Sequence, residues 1–419
     1  MASNGTGRRG RNLLVIMSDE HQARAMGCAG HPFVQTPHLD ALAARGARFD
    51  NAYTPSPICV PARASFATGR PVHETRLWDN AMPYDGSIPA WGHALQDKGI
   101  RCESIGKLHY RAPEDPTGFD VAHLPMMVAG GVGMVWASLR DEATRKIGTG
   151  RMLGDHIGPG DSPYTDYDAA VTRRTCDWLA NAPVAAPWCL YVGLVAPQLP
   201  LVVPQAIYDL YPHHSLPAPK LHPADGHARH PWVEKQIAFM DSEARFRDPQ
   251  ERCAAMAAYY GLCSWLDHNV GQILAALEAA GLSDDTTVIY TSDHGVNVGA
   301  RVLWGKSNMY EESVAVPLIM AGPGVAQGTH HTAVDLLDVS ATIADHFGAE
   351  ATGNGTPLPD LIQQPEAERA VLSQYHAAGA VSGAFMLRKG RYKLIHYVGF
   401  EDEMFDLQAD PEETTNLAR

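Results

Sequence analysis

The stretch NLLVIMSDE, Asn12–Glu20, decides the fold. Its first six residues form a nearly continuous apolar run with no polar alternation, the pattern of a strand covered on both faces, and the break into Ser18, Asp19 and Glu20 is how a buried parallel strand ends at a carboxyl-edge loop. Downstream, TPHLDALAARG from Thr36 has helical apolar spacing and a terminal Gly, and Ala47–Tyr53 reads as a second strand. Further strands are expected at Arg101–Ile105, Trp188–Val192, Thr287–Tyr290 and Pro317–Met320, alternating with helices such as Tyr167–Leu179 and Cys253–Ala280. That alternation predicts an α/β fold: a large, doubly wound, mostly parallel sheet flanked by helices. After the loop GNGTPLPD the character changes, and Val371–Tyr375, Ala384–Arg388, Tyr392–Tyr397 and Met404–Leu407 predict a small antiparallel subdomain. The expected division is a main domain over residues 1–367 and a subdomain over 368–419. Residues 130–161 and 213–249, rich in Gly, Pro or His, read as long loops or insertions.

The 419 residues carry a formal net charge of -14, and no basic cluster occurs beyond Arg8, Arg9 and Arg11, which argues against a nucleic-acid partner. The N-terminal MASNGTGRRG lacks the apolar run of a signal peptide and no segment is long enough to span a membrane, so a cytoplasmic protein without a membrane partner is expected. Seven scattered cysteines with no CxxC pair fit neither a disulfide framework nor structural zinc. An acidic protein of this size is compatible with a symmetric homo-oligomer.

Two pairs of carboxylate and imidazole groups stand at predicted strand ends: Asp19 with Glu20, and Asp293 with His294 in YTSDHG. Oxygen-rich donors with one imidazole suit calcium, magnesium or manganese better than zinc. The alternative is that each Asp merely caps its own turn. The segment ARASFATG reads as a short helix starting beside Cys59, which sets that residue near free backbone N–H groups and a positive dipole end, a place that suits an anion. Read alone, Cys59 before a proline would be a buried structural thiol.

SPICVPARASFATGR contains CVPAR, Cys59–Arg63, which resembles the CxPxR signature of the sulfatases, and the resemblance continues through NLLVIMSDE, TPHLDALAARG, GKLH, SDHG, LWGK, RYKLIHY and MFDLQADPEETTNLA. It implies an alkaline-phosphatase-like fold and hydrolysis of aryl or alkyl sulfate esters by a metal-bound formylglycine made from Cys59 by a formylglycine-generating enzyme. Asp19, Glu20, Asp293 and His294 would be metal ligands together with Cys59, the ion being Ca2+ before Mn2+ or Mg2+. By the same resemblance Arg63 would support the aldehyde hydrate, and Lys107, His109 and Lys306 would grip the sulfate. Asn80, in RLWDNAMPY, falls where related enzymes have a substrate-contacting Asn.

The chain departs from the family pattern at Glu20, where an Asp or Gln is common, and at Gln198 in VAPQLP, where a PHxP histidine is usual. An amide cannot deliver a proton at neutral pH. Protonation of the leaving group would then fall to Lys306, His109 or another histidine, or the substrates would be esters such as aryl sulfates that need little help. Related proteins commonly continue past TTNLAR with a further helix that is not expected here. Trp78, Trp136, Tyr164 and Trp304 are candidate pocket walls, and choline sulfate, aryl sulfates and small alkyl sulfates all remain open as substrates. Two rivals stay in view: a phosphonate monoester hydrolase or phosphodiesterase sharing the nucleophile, and a silent binding protein in which Cys59 stays a thiol.

Overall fold

The computed structural model describes residues 10–133, 152–239, 241–365 and 368–418. Eight strands form the main sheet: β1 (Asn12–Asp19), β2 (Gly46–Phe49), β3 (Arg101–Lys107), β4 (Val121–Met126), β5 (Trp188–Pro197), β6 (Thr286–Ser292), β7 (Leu318–Ala321) and β8 (Gly328–His330), in spatial order β8-β2-β7-β6-β1-β5-β3-β4. Only β7 runs against its neighbours β6 and β2, so the sheet is mostly parallel, as the strand and helix alternation predicts. The central place of β1 explains its unbroken apolar run. Leu13, Val15 and Met17 pack on one face with Phe66, Val339 and Ile343, while Leu14 and Ile16 pack on the other with Leu266, Val270 and Ile273. Leu13–Met17 are all fully buried, and each such side chain contributes about 1.5–3 kcal/mol.

Those covering residues belong to α2 (Cys59–Thr68) and α6 (Leu336–His346) on one side and to the long α5 (Pro249–Ala279) on the other, with α1 (Pro37–Ala44) and α3 (Pro163–Ala180) beside α5. Ser162 accepts from Thr165 N at the start of α3, and Asp248 from Glu251 N at the start of α5. The helix after Cys59 begins on Cys59 itself and stops at Gly69, whose φ of 66° closes the last turn.

Two sequence expectations need correction. Ala47–Tyr53 is not one strand: the chain breaks after Phe49, and Ala52–Tyr53 leaves the main sheet to pair with Val334–Asp335. Within 213–249, Pro231–Phe239 is a helix, α4, whose Trp232 and Val233 are buried against the C-terminal sheet; the surrounding His and Pro residues hide its short apolar stripe. That sheet comprises β9 (Ala370–Tyr375), β10 (Ala384–Lys389), β11 (Tyr392–Tyr397) and β12 (Glu403–Asp406), all antiparallel in chain order. Among the described residues no helix is long and apolar enough to cross a membrane.

Candidate active site

β1 and β6 lie side by side with Ser18 opposite Ser292, so Asp19 and Asp293 leave the same sheet edge together. α2 brings Cys59 and Arg63 over that edge. The Arg63 guanidinium is fully engaged: Nε donates to Asp293 Oδ2 (2.9 Å), Nη2 to Asp19 Oδ2 (3.1 Å) and Ser18 O (3.3 Å), and Nη1 to Tyr191 OH (3.0 Å) and Lys107 O (3.2 Å). Lys107 Nζ adds a second contact to Asp19 Oδ2, at 2.7 Å. Both Oδ2 atoms are therefore neutralised from behind, while Asp19 Oδ1 faces Cys59 and Asp293 Oδ1 accepts from His294 N at 2.9 Å. Burial opposes charge on Asp19, yet Lys107, Lys306 and Arg63 outweigh it and hold the carboxyl well below the usual range.

His294 Nδ1 is 2.9 Å from Gly295 O, a contact that places the proton there and turns the Nε2 lone pair toward Cys59 Sγ at 3.3 Å. Cys59 Sγ is 3.5 Å from Asp19 Oδ1. The donor atoms of Asp19, Cys59, Asp293 and His294 all lie within 4.8 Å of one another, and all four residues are buried. Two carboxylate oxygens, one imidazole nitrogen and the residue-59 atom fit a hard or intermediate divalent cation. Glu20 stands apart from this group. Its backbone is left-handed, φ 65°, and Oε1 accepts from Lys306 Nζ at 2.6 Å.

Lys306 Nζ also lies 2.9 Å from Cys59 Sγ, so an ammonium faces the sulfur from the open side. Burial, then Asp19, push the Cys59 thiol up to about 12, which keeps an unmodified Cys59 protonated. His109 has φ 59°, and among the described residues its buried Nδ1 has no hydrogen-bond partner; burial and then Lys107 hold it well below the usual imidazole range, so it is neutral. Gln198 Oε1 accepts from Lys107 Nζ at 2.5 Å, and Asn80 Oδ1 accepts from Val60 N at 3.1 Å in the first turn of α2.

Cys59, Lys306, His109, Gln198, Asn80 and Glu20 line one cleft of about 540 Å³. Its walls beyond the polar floor are largely apolar, with Met126 and Leu199, Val233 and Ile237 of or near α4, and Trp304. Tyr164 and Trp304 belong to it; Trp78 packs on His376 instead, and Trp136 lies outside the described residues. Arg63 and Lys107 sit beneath the floor, Arg63 with no described hydrogen bond to Cys59.

Several supporting residues escaped the sequence reading. Tyr191 holds Arg63 from β5. Asp168 on α3 accepts from Val195 N (2.7 Å) and Ala196 N (2.8 Å), fixing the end of β5 that delivers Gln198. An Asp within the buried stripe of a helix is the signal that would have found it. Gly193 lies where a Cβ would come 2.1 Å from Lys107 O, so only glycine lets β5 approach β3 there.

Residues 11–349 match the sulfatase family, and residues 299–419 match the family described as N-sulphoglucosamine sulphohydrolase, C-terminal. The chain is 33% identical over 430 residues to the choline-sulfatase of Rhizobium meliloti (strain 1021), covering 97% of this chain and 82% of that one. It is 28% identical over 439 residues to the human arylsulfatase K, covering 97% and 78%. Among solved structures it resembles one determined in complex with its substrate D-glucosamine-2-N,6-O-disulfate (TM-score 0.79, 23% identity, 98% of this chain and 93% of that one). It also resembles the phosphonate monoester hydrolase of Agrobacterium radiobacter (TM-score 0.75, 23% identity, 98% and 92%). With its sheet edge, its CVPAR helix and its matched length taken together, the chain belongs to the sulfatase family.

Proposed function

We propose that this sulfuric ester hydrolase acts through a formylglycine at position 59 and one divalent cation, Ca2+ in preference to Mn2+ or Mg2+, held by Asp19, Asp293, His294 and residue 59. The observation that carries the reading is the convergence of Asp19 Oδ1, Asp293 and His294 Nε2 on Cys59, backed by Arg63 and flanked by Lys306. Such a cation supplies Lewis-acid polarisation and charge neutralisation when bound, and the formylglycine supplies a hydroxyl nucleophile that a protonated thiol does not.

The chain's own residues supply the rest. Arg63 and Lys107 fix the two carboxylates, so the charge of the floor is set before a substrate arrives. Lys306, beside residue 59, stabilises charge on the sulfuryl oxygens, as cationic clamps do in phosphoryl transfer. His109 and Asn80 orient the ester from the cleft walls as neutral hydrogen-bonding groups. Gln198 is tied to Lys107 through its carbonyl, leaving its N–H groups for the ester oxygens. Because an amide transfers no proton, we read the substrate as an ester of an acidic alcohol, an aryl sulfate, seated on the apolar walls. All seven cysteines are free, which supports a reducing, cytoplasmic compartment, where a formylglycine-generating enzyme would be the maturation partner.

The test is a paired assay on an aryl sulfate and a matching aryl phosphonate, using protein whose residue-59 peptide has been weighed by mass spectrometry, with Cys59→Ala as control. Faster sulfate turnover, abolished in the control, supports the reading. Faster phosphonate turnover replaces it with a phosphonate monoester hydrolase, and an unmodified, inactive protein replaces it with a silent binding role.

A further inference from the structure

β10 and β11 pair with Arg388 directly opposite Lys393, and both side chains are buried, 5% and 0% exposed. Two cations facing each other across strands repel, and burial adds a desolvation penalty unless each finds an anion. Lys393 is provided for: its Nζ is 2.8 Å from Glu311 Oε1 and 2.7 Å from Glu413 Oε1. Arg388 is not. Among the described residues, neither its Nε nor its Nη1 has a hydrogen-bond partner. Glu311, which feels the charge of Arg388, already takes the Lys393 pair and a bond from Tyr53 OH at 3.2 Å.

The same guanidinium lines a cavity of about 280 Å³ that shares no residue with the Cys59 cleft. Arg24, Arg48 and Lys220 also line it, Arg24 and Lys220 being paired with Glu412 as well. Its acids are occupied: Glu312 is paired with Arg301 (2.9 Å) and Lys220 (3.0 Å), and Asp50 with His331 (2.9 Å). Among the described residues Arg48 has one side-chain bond, to Thr329 Oγ1 at 3.2 Å. The cavity therefore combines room, a lining of four cations to three acids, and a buried guanidinium with no ion pair among the described residues.

We propose that this cavity is a second oxyanion site, remote from the catalytic cleft, in which the Arg388 guanidinium, with Arg48 at the rim, binds a small phosphate, sulfate or carboxylate. A planar fork matches the oxygens of any of these, and the missing counter-charge is what such a ligand brings. The inference does not depend on the catalytic reading.

The experiment is thermal unfolding of the full chain at fixed ionic strength in chloride, titrated with inorganic phosphate and separately with acetate. It compares wild type, Arg388→Met and the catalytic-floor variant Lys107→Ala. Either oxyanion is expected to raise the melting temperature of wild type and of Lys107→Ala alike, and Arg388→Met is expected to need about ten-fold more of it or more, the loss typical of one strong charge-assisted contact. Without the oxyanion, Arg388→Met is expected to melt at or above wild type, because an unpaired buried charge has gone. Arg388→Lys, which keeps the charge without the fork, serves where Met impairs folding and is expected to bind weakly. An unchanged response in the Arg388 variants, no response of wild type to either anion, or a clear drop in the anion-free melting temperature of Arg388→Met would each overturn the proposal.

Discussion

Arg63 Nε holds Asp293 Oδ2 at 2.9 Å, while Oδ1 of that carboxylate accepts from His294 N at 2.9 Å. The same guanidinium does likewise for Asp19, so one side chain orients both acids of the floor. Lysine has the charge but not the planar fork. Arg63→Lys is expected to lower metal affinity about 10–100-fold, the usual cost of losing a partner that orients ligands, with a matching fall in kcat. Metal titration followed by calorimetry checks the first and steady-state assay the second; retained affinity would show that the carboxylates hold their orientation unaided.

Gln198 gives a kinetic signature. With its carbonyl on Lys107, the rate should fall steeply as the leaving-group pKa rises across a series of aryl sulfates. Gln198→His introduces a group able to pass a proton and is expected to flatten that dependence, improving the slowest esters by about 10²-fold, the lower range for general acid catalysis. A slope identical in both proteins would mean that the proton comes from elsewhere.

Gly193→Ala tests the packing beneath the site. Its Cβ would lie 2.1 Å from Lys107 O, so β3 and β5 must part. The expected result is a destabilisation of about 1–3 kcal/mol, typical of overpacking, together with a loss of kcat larger than the change in KM, because Lys107 and the Arg63 bond to its carbonyl move together. Chemical denaturation and kinetics on one preparation separate the two effects.

Glu403 gives a pH dependence away from the cleft. Burial raises its carboxyl to about 7, with Tyr397 OH and Tyr310 OH donating to it. The folded state thus binds the proton more tightly than the unfolded chain, where the carboxyl titrates near its ordinary value of 4.5. This contribution to stability is complete below about pH 4.5 and is lost as pH rises through 7. Glu403→Gln, permanently neutral, is expected to remove on the order of 2 kcal/mol of that decline. Unfolding curves from pH 5 to 8 that keep the same slope in both proteins would reject it.

What was legible in the sequence was what depends on neighbours in the chain. The unbroken apolar run before Asp19 gave away a central strand, and CVPAR, SDHG, GKLH and LWGK named the residues that the fold gathers at one edge. What was not legible depends on contacts across the fold. Tyr191 and Asp168 look like ordinary core and helix residues until β5 is set against Arg63 and α3. Helix α4 was lost among His and Pro residues because its nine residues show too short a period. Arg63 and Lys107 could be named as site residues, but only the packing put both beneath the carboxylates rather than in the cleft.

Glu20, His109 and Ser307 all border the cleft with left-handed backbones, φ 65°, 59° and 80°, where none is a glycine. Each such residue raises the energy of the folded chain by about 1–3 kcal/mol relative to a relaxed turn. The rim of the site is therefore a place where durability has been given up. Glycine at these three positions would relieve the strain at the cost of the side chains that shape the cleft, so an effort to harden this enzyme against heat should spare its rim and look for gains in the surface loops distant from it.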